Sequence, residues 1–166
     1  LRSRFPSFGG RSRRFNAKHR ILATAVSACF AANYAMANPT GAAVVNGTAI
    51  INRVGNVLNV TNSNGAILNW QSFNIAQGET TRFIQPTASS AVMNRVLSAD
   101  PSLIYGQLSS NGKVWLINPA GILVGASGKI DTAGFVASTL GISNQDFLAG
   151  RLNLSATPGA GSVVNQ

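Results

Sequence analysis

Few residues of this chain could do acid–base or nucleophilic chemistry. The sequence of 166 residues contains four acids, one His and one Cys. The acids are Glu79, Asp100, Asp131 and Asp146, whereas His19 and Cys29 lie near the N-terminus. A hydrolase usually needs two carboxylates facing one bond or a nucleophile beside a base, and no two of these acids are close in sequence. No spacing typical of metal ligands occurs either, so we expect no catalytic residue, no metal and no cofactor.

Positive charge is concentrated at the N-terminus. The first 20 residues carry seven of the 13 Lys and Arg residues and none of the acids. The rest of the chain has six basic residues against four acids, which is too little positive charge for a nucleic-acid surface. We therefore expect no nucleic-acid partner.

An apolar segment follows the basic one. Residues 21–32, "ILATAVSACFAA", carry no charge, and the small residues Ala35 and Ala37 come shortly after them. Basic, apolar and small residues in this order are typical of a secretory signal peptide. We predict an extended signal peptide over residues 1–37, export by the Sec machinery, and cleavage after Ala37.

Two other interpretations of this segment stay open. A transmembrane helix would need about 20 consecutive apolar residues, and Asn33 interrupts the run before that length. A lipoprotein signal would use the "VSAC" at residues 26–29, with Cys29 acylated after cleavage. These interpretations predict different N-termini for the exported chain.

Residues 38–166 have the pattern of short strands separated by turns. Gly and Asn interrupt nearly every window longer than about ten residues. Between them lie runs rich in Val, Ile, Leu, Phe and Trp, which favour strands: "GTAIINRV", "NVLNVTN", "GAILNWQSFNIA", "TTRFIQP", "SAVMNRVL", "GKVWLINP", "GILVGA" and "GKIDTAGFVAS". Such strands fit either an antiparallel sandwich or a solenoid of stacked parallel rungs. A weak internal repeat slightly favours the solenoid: "SNGAILNW" begins at Ser63 and "SNGKVWLINP" begins at Ser110. The distance between these two starting points suits two coils of about 20 to 25 residues each.

The pattern N-P-x-G occurs at Asn38 and again at Asn118. A type I β-turn prefers Asn at its first position, where the side chain accepts from the chain two residues on. It prefers Pro at the second position, where the ring presets φ, and Gly at the fourth. We therefore predict a tight corner at each site.

Three longer stretches resemble one known family. They are "GAILNWQSFNIAQGETTRFIQP", "SSAVMNRVLSADPSLIYGQLSSNGKVWLINPAGILVG" and "GKIDTAGFVASTLGIS". In this order they resemble the N-terminal secretion domain of two-partner secretion exoproteins, the filamentous haemagglutinin family, and most closely its high-molecular-weight adhesin branch. The resemblance covers about residues 38–144.

The resemblance implies an all-β fold over residues 38–166, a right-handed parallel β-helix with an N-terminal cap. It implies a partner as well, an outer-membrane transporter of the Omp85 type whose periplasmic domains recognise this segment. The exoprotein would then fold outside a Gram-negative bacterium, secreted or held at the cell surface.

The family's motifs, and hence the expected recognition residues, correspond here to two groups: Asn94, Arg95 and Val96, and Asn118, Pro119, Gly121 and Ile122. The family usually has a second Asn where this chain has Ala120. A type I turn accepts Ala at that position, but any contact made by an amide side chain there would be lost.

Two other functions stay open. One is a stand-alone adhesive or structural β-helix module, although in large relatives adhesion to a host glycan or receptor is usually assigned to regions downstream. The other is a β-helix enzyme acting on polysaccharides, which the scarcity of acids disfavours. The last residues, "GSVVNQ", are typical of another strand, so we expect an open solenoid end, as in a fragment of a longer exoprotein or a truncated gene product.

Overall fold

A computed structural model describes residues 38–156 and 158–166 of the chain. The predicted signal peptide, with Ala35, Ala37 and Cys29, lies outside the described residues. The described part contains strands and one short helix, which are, in chain order, β1 (Ala43–Asn46), β2 (Ala49–Val54), β3 (Val57–Asn62), β4 (Ala66–Trp70), β5 (Thr80–Ile84), β6 (Ala91–Val96), β7 (Ser102–Ile104), β8 (Gln107–Ile117), β9 (Ile122–Val124), β10 (Lys129–Ser138), β11 (Gly141–Ile142), α1 (Asn144–Leu148), β12 (Leu154–Ser155) and β13 (Val163–Asn165). Within these ranges no helix is long and apolar enough to cross a membrane.

The strands wind into a parallel solenoid of four rungs with three faces. On face 1, β3, β5 and the first halves of β8 and β10 stack in parallel. On face 2, β4, β6 and the second halves of β8 and β10 stack in the same way. On face 3, β7, β9 and β13 stack, and Ile75 of the first rung bridges to Ile104 of β7. The predicted all-β fold, a parallel β-helix, is confirmed.

The spacing of the two "SNG" segments agrees with this winding. Ala66 pairs with Val92, and Val92 pairs with Val114. The segments at Ser63 and Ser110 therefore lead into equivalent positions on face 2, two rungs apart.

Polar side chains tie successive rungs at the corner between faces 1 and 2. The side-chain nitrogen of Asn111 donates to the carbonyl of Gln85 at 2.6 Å, and the backbone amide of Gln85 donates to the side-chain oxygen of Asn111 at 2.7 Å. Such pairs satisfy backbone groups that leave the sheet at the corner.

Strands β1 and β2 cap the first rung. They pair antiparallel with β4 and β3, so the parallel stacking stops at them. Asn38 is buried below this cap, where its side chain donates to the carbonyl of Asn56 at 3.2 Å and accepts from the hydroxyl of Thr81 at 3.0 Å.

The tight turn predicted at Asn38 is not formed. The chain only bends there, because Thr40 forms an antiparallel bridge with Ser72 instead of closing a turn. The N-P-x-G at Asn38 thus anchors the cap through its Asn side chain.

The core lies between the three faces. Trp70 meets Phe73 edge-on with ring centroids 5.7 Å apart, and Phe73 stacks on Phe83 at 6.5 Å. Full burial of each such side chain stabilises the fold by about 1.5–3 kcal/mol. All three rings belong to the core.

One segment leaves the solenoid. We call residues 139–156, which lie between β10 and β13, the strap; it contains β11, α1 and β12. Strand β11 pairs antiparallel with β12, and Ser143 caps α1 by accepting from the amide of Asp146 at 3.0 Å. The strap packs on the outer surface of face 2.

Candidate functional site

The corner predicted at Asn118 is a hydrogen-bonded turn. The amide of Gly121 donates to the carbonyl of Asn118 at 3.1 Å, and the amide of Ala120 donates to the Asn118 side-chain oxygen at 3.0 Å. Gly121 has a φ of 126°, a conformation that side chains disfavour. The prediction of a tight turn at this site is confirmed.

Asn118 connects three rungs. Its side chain is fully buried, and its side-chain nitrogen donates to the carbonyl of Asp100 and to the hydroxyl of Ser102, each at 3.0 Å. Both partners belong to the second rung. The Asn118 backbone amide donates to the carbonyl of Ser138 in the fourth rung at 3.0 Å. A single residue of the third rung therefore bonds to the rungs on both sides.

The turn is covered by the chain that leads into β13. The amide of Gly161 donates to the carbonyl of Pro119 at 2.8 Å. A Cβ on Gly161 would lie 2.4 Å from the carbonyl oxygen of Ala120, so only Gly fits this close approach. Ile122 belongs to the core. These predicted motif residues are built into the solenoid.

Asn94 lies inside the solenoid in the middle of β6. Its side-chain oxygen accepts from the Trp70 indole at 2.9 Å, and its side-chain nitrogen donates to the carbonyl of Trp115 at 3.2 Å. The residue is fully buried with these bonds made, because an unpaired amide would be costly there. Val96, two residues on, belongs to the core.

Arg95 points the other way, outward from face 2. Its guanidinium donates from Nη2 to the carbonyl of Ile142 at 2.8 Å and to the side-chain oxygen of Asn144 at 3.0 Å. Both acceptors belong to the strap. Partial burial lowers the pKa of Arg95, which nevertheless stays charged at neutral pH.

The two motifs are neighbours, but they do not form one exposed patch. Arg95 pairs in register with Ile117, which directly precedes Asn118. Asn94 and Asn118 face the interior, and Arg95 lies under the strap. The sequence pattern could locate the motifs but could not show that their polar side chains bond within the fold.

Two of the four acids form ion pairs. Glu79 pairs with Arg53 at 3.0 Å, and Asp146 pairs with Arg151 at 2.8 Å. Asp100 lies before β7 and Asp131 lies on β10. In the part of the chain that the structure describes, no three His, Cys, Asp or Glu residues lie together as metal ligands would.

Two depressions of the surface lie apart from the motifs. One of about 270 Å³ is lined on face 1 by Arg82, Ser109 and Asp131, among others. A second of about 470 Å³ lies near Tyr105 and Lys129. Neither is lined by a motif residue.

The helix α1 was missed by the sequence analysis. Its signal is Ser143 followed three residues later by Asp146, and then by the apolar Phe147 and Leu148. This is the pattern of a capped helix start. The helix is only five residues long, so no periodic apolar pattern accompanies the cap.

Comparisons with known proteins agree with this architecture. The family model of the TPS secretion domain matches residues 35–166. The crystal structure of the HMW1 secretion domain from Haemophilus influenzae is similar, with a TM-score of 0.74 and 44% identity, covering 77% of this chain and 35% of that one.

Two curated relatives are named heme/hemopexin-binding protein. One, from Haemophilus influenzae (strain ATCC 51907 / DSM 11121 / KW20 / Rd), is 38% identical over 111 residues, which are 65% of this chain and 12% of the relative. The other, from Haemophilus influenzae, is 39% identical over 77 residues, which are 46% of this chain and 8% of the relative. The match thus spans only a small part of each relative's length.

Proposed function

Because the chain belongs to the TPS secretion domain family, we propose that residues 38–166 direct a two-partner secretion exoprotein to its own outer-membrane transporter. Proteins with this domain are secreted exoproteins of Gram-negative bacteria, and the domain implies a partner transporter. The proposed partner is of the Omp85 type, and its periplasmic domains bind this segment after the Sec machinery has exported the chain and the signal peptide has been cleaved after Ala37.

The burial of the motif side chains supports recognition before folding. Asn94 and Asn118 are both 0% exposed in the folded solenoid. A transporter cannot contact these amides once the rungs have closed. The proposal is therefore that the transporter binds the motifs of the unfolded chain, from Asn94 to Val96 and from Asn118 to Ile122. The same side chains then bond within the rungs outside the cell.

The cap supports folding that begins at the N-terminus. Strands β1 and β2 occupy the edge where the first rung would otherwise stay unpaired. A parallel rung alone cannot bury its apolar face, so stacking on a capped rung is favoured. In this proposal the capped first rung nucleates the β-helix at the cell surface.

The first test is secretion with and without the cognate transporter. The amount of protein in the medium and its N-terminal residue are measured. The proposal expects release that depends on the transporter, with a chain that begins at Asn38. Release that is indifferent to the transporter, or retention in the membrane with a lipidated Cys29, would contradict it.

A second test separates recognition from folding. The transporter's periplasmic domains are immobilised, and the chain is added either freshly diluted from urea or fully folded. Only the unfolded chain is expected to bind, and Asn118→Ala is expected to weaken that binding. The matched control is Asn52→Ala, since Asn52 is an exposed Asn of the cap. Equal binding of the folded chain would overturn recognition before folding.

An enzymatic role is less favoured than a role in secretion. The TPS secretion domain is not an enzyme family, and two of the four acids are held in ion pairs. We propose that this segment does not catalyse a reaction. Incubation with candidate polysaccharides, followed by measurement of new reducing ends, tests this point.

A further inference from the structure

The outer surface of face 2 carries an apolar row that crosses three rungs. Ile67 in the first rung pairs with Met93 in the second, and Met93 pairs with Trp115 in the third. Their side chains point away from the core that the inner side chains fill. Parallel stacking thus places one apolar side chain from each rung in a line along the solenoid.

The strap covers this row. Ile142 and Phe147 form one buried cluster with Ile67, Met93 and Ile117. The ring of Phe147 meets that of Trp115 edge-on at 5.6 Å.

The strap also reaches the first rung. A Cβ on Gly65 would lie 3.2 Å from Cδ2 of Leu148. The strap begins after Ser138 in the fourth rung, so it runs back along the solenoid to the first.

Arg95 adds a polar attachment beside the apolar one. Its bonds to the carbonyl of Ile142 and to Asn144 fix both β11 and the start of α1. The guanidinium supplies several donors in a fixed plane, so one side chain in the second rung holds two points of the strap.

We infer that the strap is a lock that closes last over the folded rungs. Its docking surface is composed of residues from rungs one, two and three, and the strap itself follows the fourth, so no docking surface exists until all of them have formed. Once docked, the strap must detach before the rungs beneath it separate. Arg95 is the positioning residue of this lock.

If the strap docks last, substitutions that weaken its docking should change the rate of unfolding and not the rate of folding. Interactions made after the transition state for folding affect the rate of unfolding and leave the rate of folding unchanged. We expect Phe147→Ala and Arg95→Met to raise the unfolding rate by about tenfold or more, with refolding rates within about twofold of the original. Leu152→Ala is the control, because Leu152 lies in the strap but is 66% exposed. Stopped-flow dilution of the purified chain into and out of urea measures both rates.

Amide hydrogen exchange supplies a second measurement. In Phe147→Ala, residues 142–150 are expected to exchange faster while β4, β6 and β8 keep their protection. If Arg95→Met fails to fold, Arg95→Lys, which keeps the charge with fewer donors, is expected to show the same local opening to a smaller degree. The inference would be overturned if these variants refolded more slowly by the same factor by which they unfold faster. Equal loss of protection in the strap and the rungs would also overturn it.

Discussion

At the scale of single residues, three amide side chains hold the solenoid together from within. The Asn118 side chain bonds to the second rung and to its own turn, that of Asn94 bonds to Trp70 and to the third rung, and that of Asn38 ties the cap to Asn56. An amide side chain both donates and accepts, so one residue satisfies groups of several neighbouring segments. The positions of these residues explain how motifs that look like exposed turns in the sequence also contribute to stability.

Replacing Asn118 tests this contribution. Asn118→Ala removes the partners of the Asp100 carbonyl and the Ser102 hydroxyl in a buried site. We expect the free energy of unfolding to fall by about 2–4 kcal/mol. Urea unfolding followed by circular dichroism measures the change. Asn52→Ala, on the exposed cap, is expected to change the free energy of unfolding by less than about 0.5 kcal/mol. A comparable loss in both variants would contradict the stabilising role given to the buried Asn118 side chain.

Replacing Ala120 by Asn tests the one departure from the family's pattern. Its backbone amide bonds to Asn118, and its side chain is partly exposed. We expect Ala120→Asn to leave the free energy of unfolding within about 0.5 kcal/mol, since the turn geometry accepts Asn. If the transporter contacts this position in the unfolded chain, Ala120→Asn will also increase transporter-dependent release. A large loss of stability would show that the approach of Gly161 leaves no room for the longer side chain.

At the scale of elements, the strands were predicted better than the strap. The quoted apolar runs correspond to β2, β3, β4, β5, β6, β8, β9 and β10. Alternating side chains could not show which side of β6 faces inward, because Val92 and Met93 are apolar neighbours and both are buried. The second buried side arises only because the strap folds over it.

The start of α1 predicts a dependence on pH. The pKa of Asp146 is lowered first by its hydrogen bond with Ser143 and next by its bond with Arg151; Asn153 also donates to it. A carboxyl with a depressed pKa stabilises the folded state above its unfolded pKa, about 3.9, and loses this effect as pH falls through the folded value. We therefore expect strap docking to be constant from about pH 7 to 5 and to weaken below about pH 4.

The chemical shifts of the Phe147 ring measure this docking. Asp146→Asn is the control, because it cannot titrate at this position. The variant is expected to lack this acid transition. The same transition in Asp146→Asn would assign it to another group.

At the scale of the whole molecule, the cap and the last rung differ. Antiparallel strands close the first rung, whereas β13 pairs only with β9 among the described strands. Val163 and Val164 of β13 are 47% and 42% exposed. An unpaired edge with apolar side chains is a surface on which another strand can pair.

This difference predicts association through the last rung. At high concentration we expect a purified piece of residues 38–166 to form dimers or larger species, and Val164→Lys to reduce them, because a charge on an edge strand opposes pairing. Sedimentation velocity over a range of concentrations measures the species present. Leu152→Lys, at an exposed position of the strap, should leave the distribution unchanged. Equal effects of the two substitutions would mean that association does not use β13.

The sequence by itself determined the strands, the turn at Asn118 and the family, because these depend on local turn chemistry, on alternating apolar residues and on motifs in a fixed order. Only the tertiary structure decided that Asn94 and Asn118 are buried, that Asn38 does not close a turn, and that Arg95 holds the strap. Each of these depends on which rungs lie side by side. That stacking joins residues about 20 or more positions apart in the chain, a distance over which neither propensity nor periodicity specifies a partner.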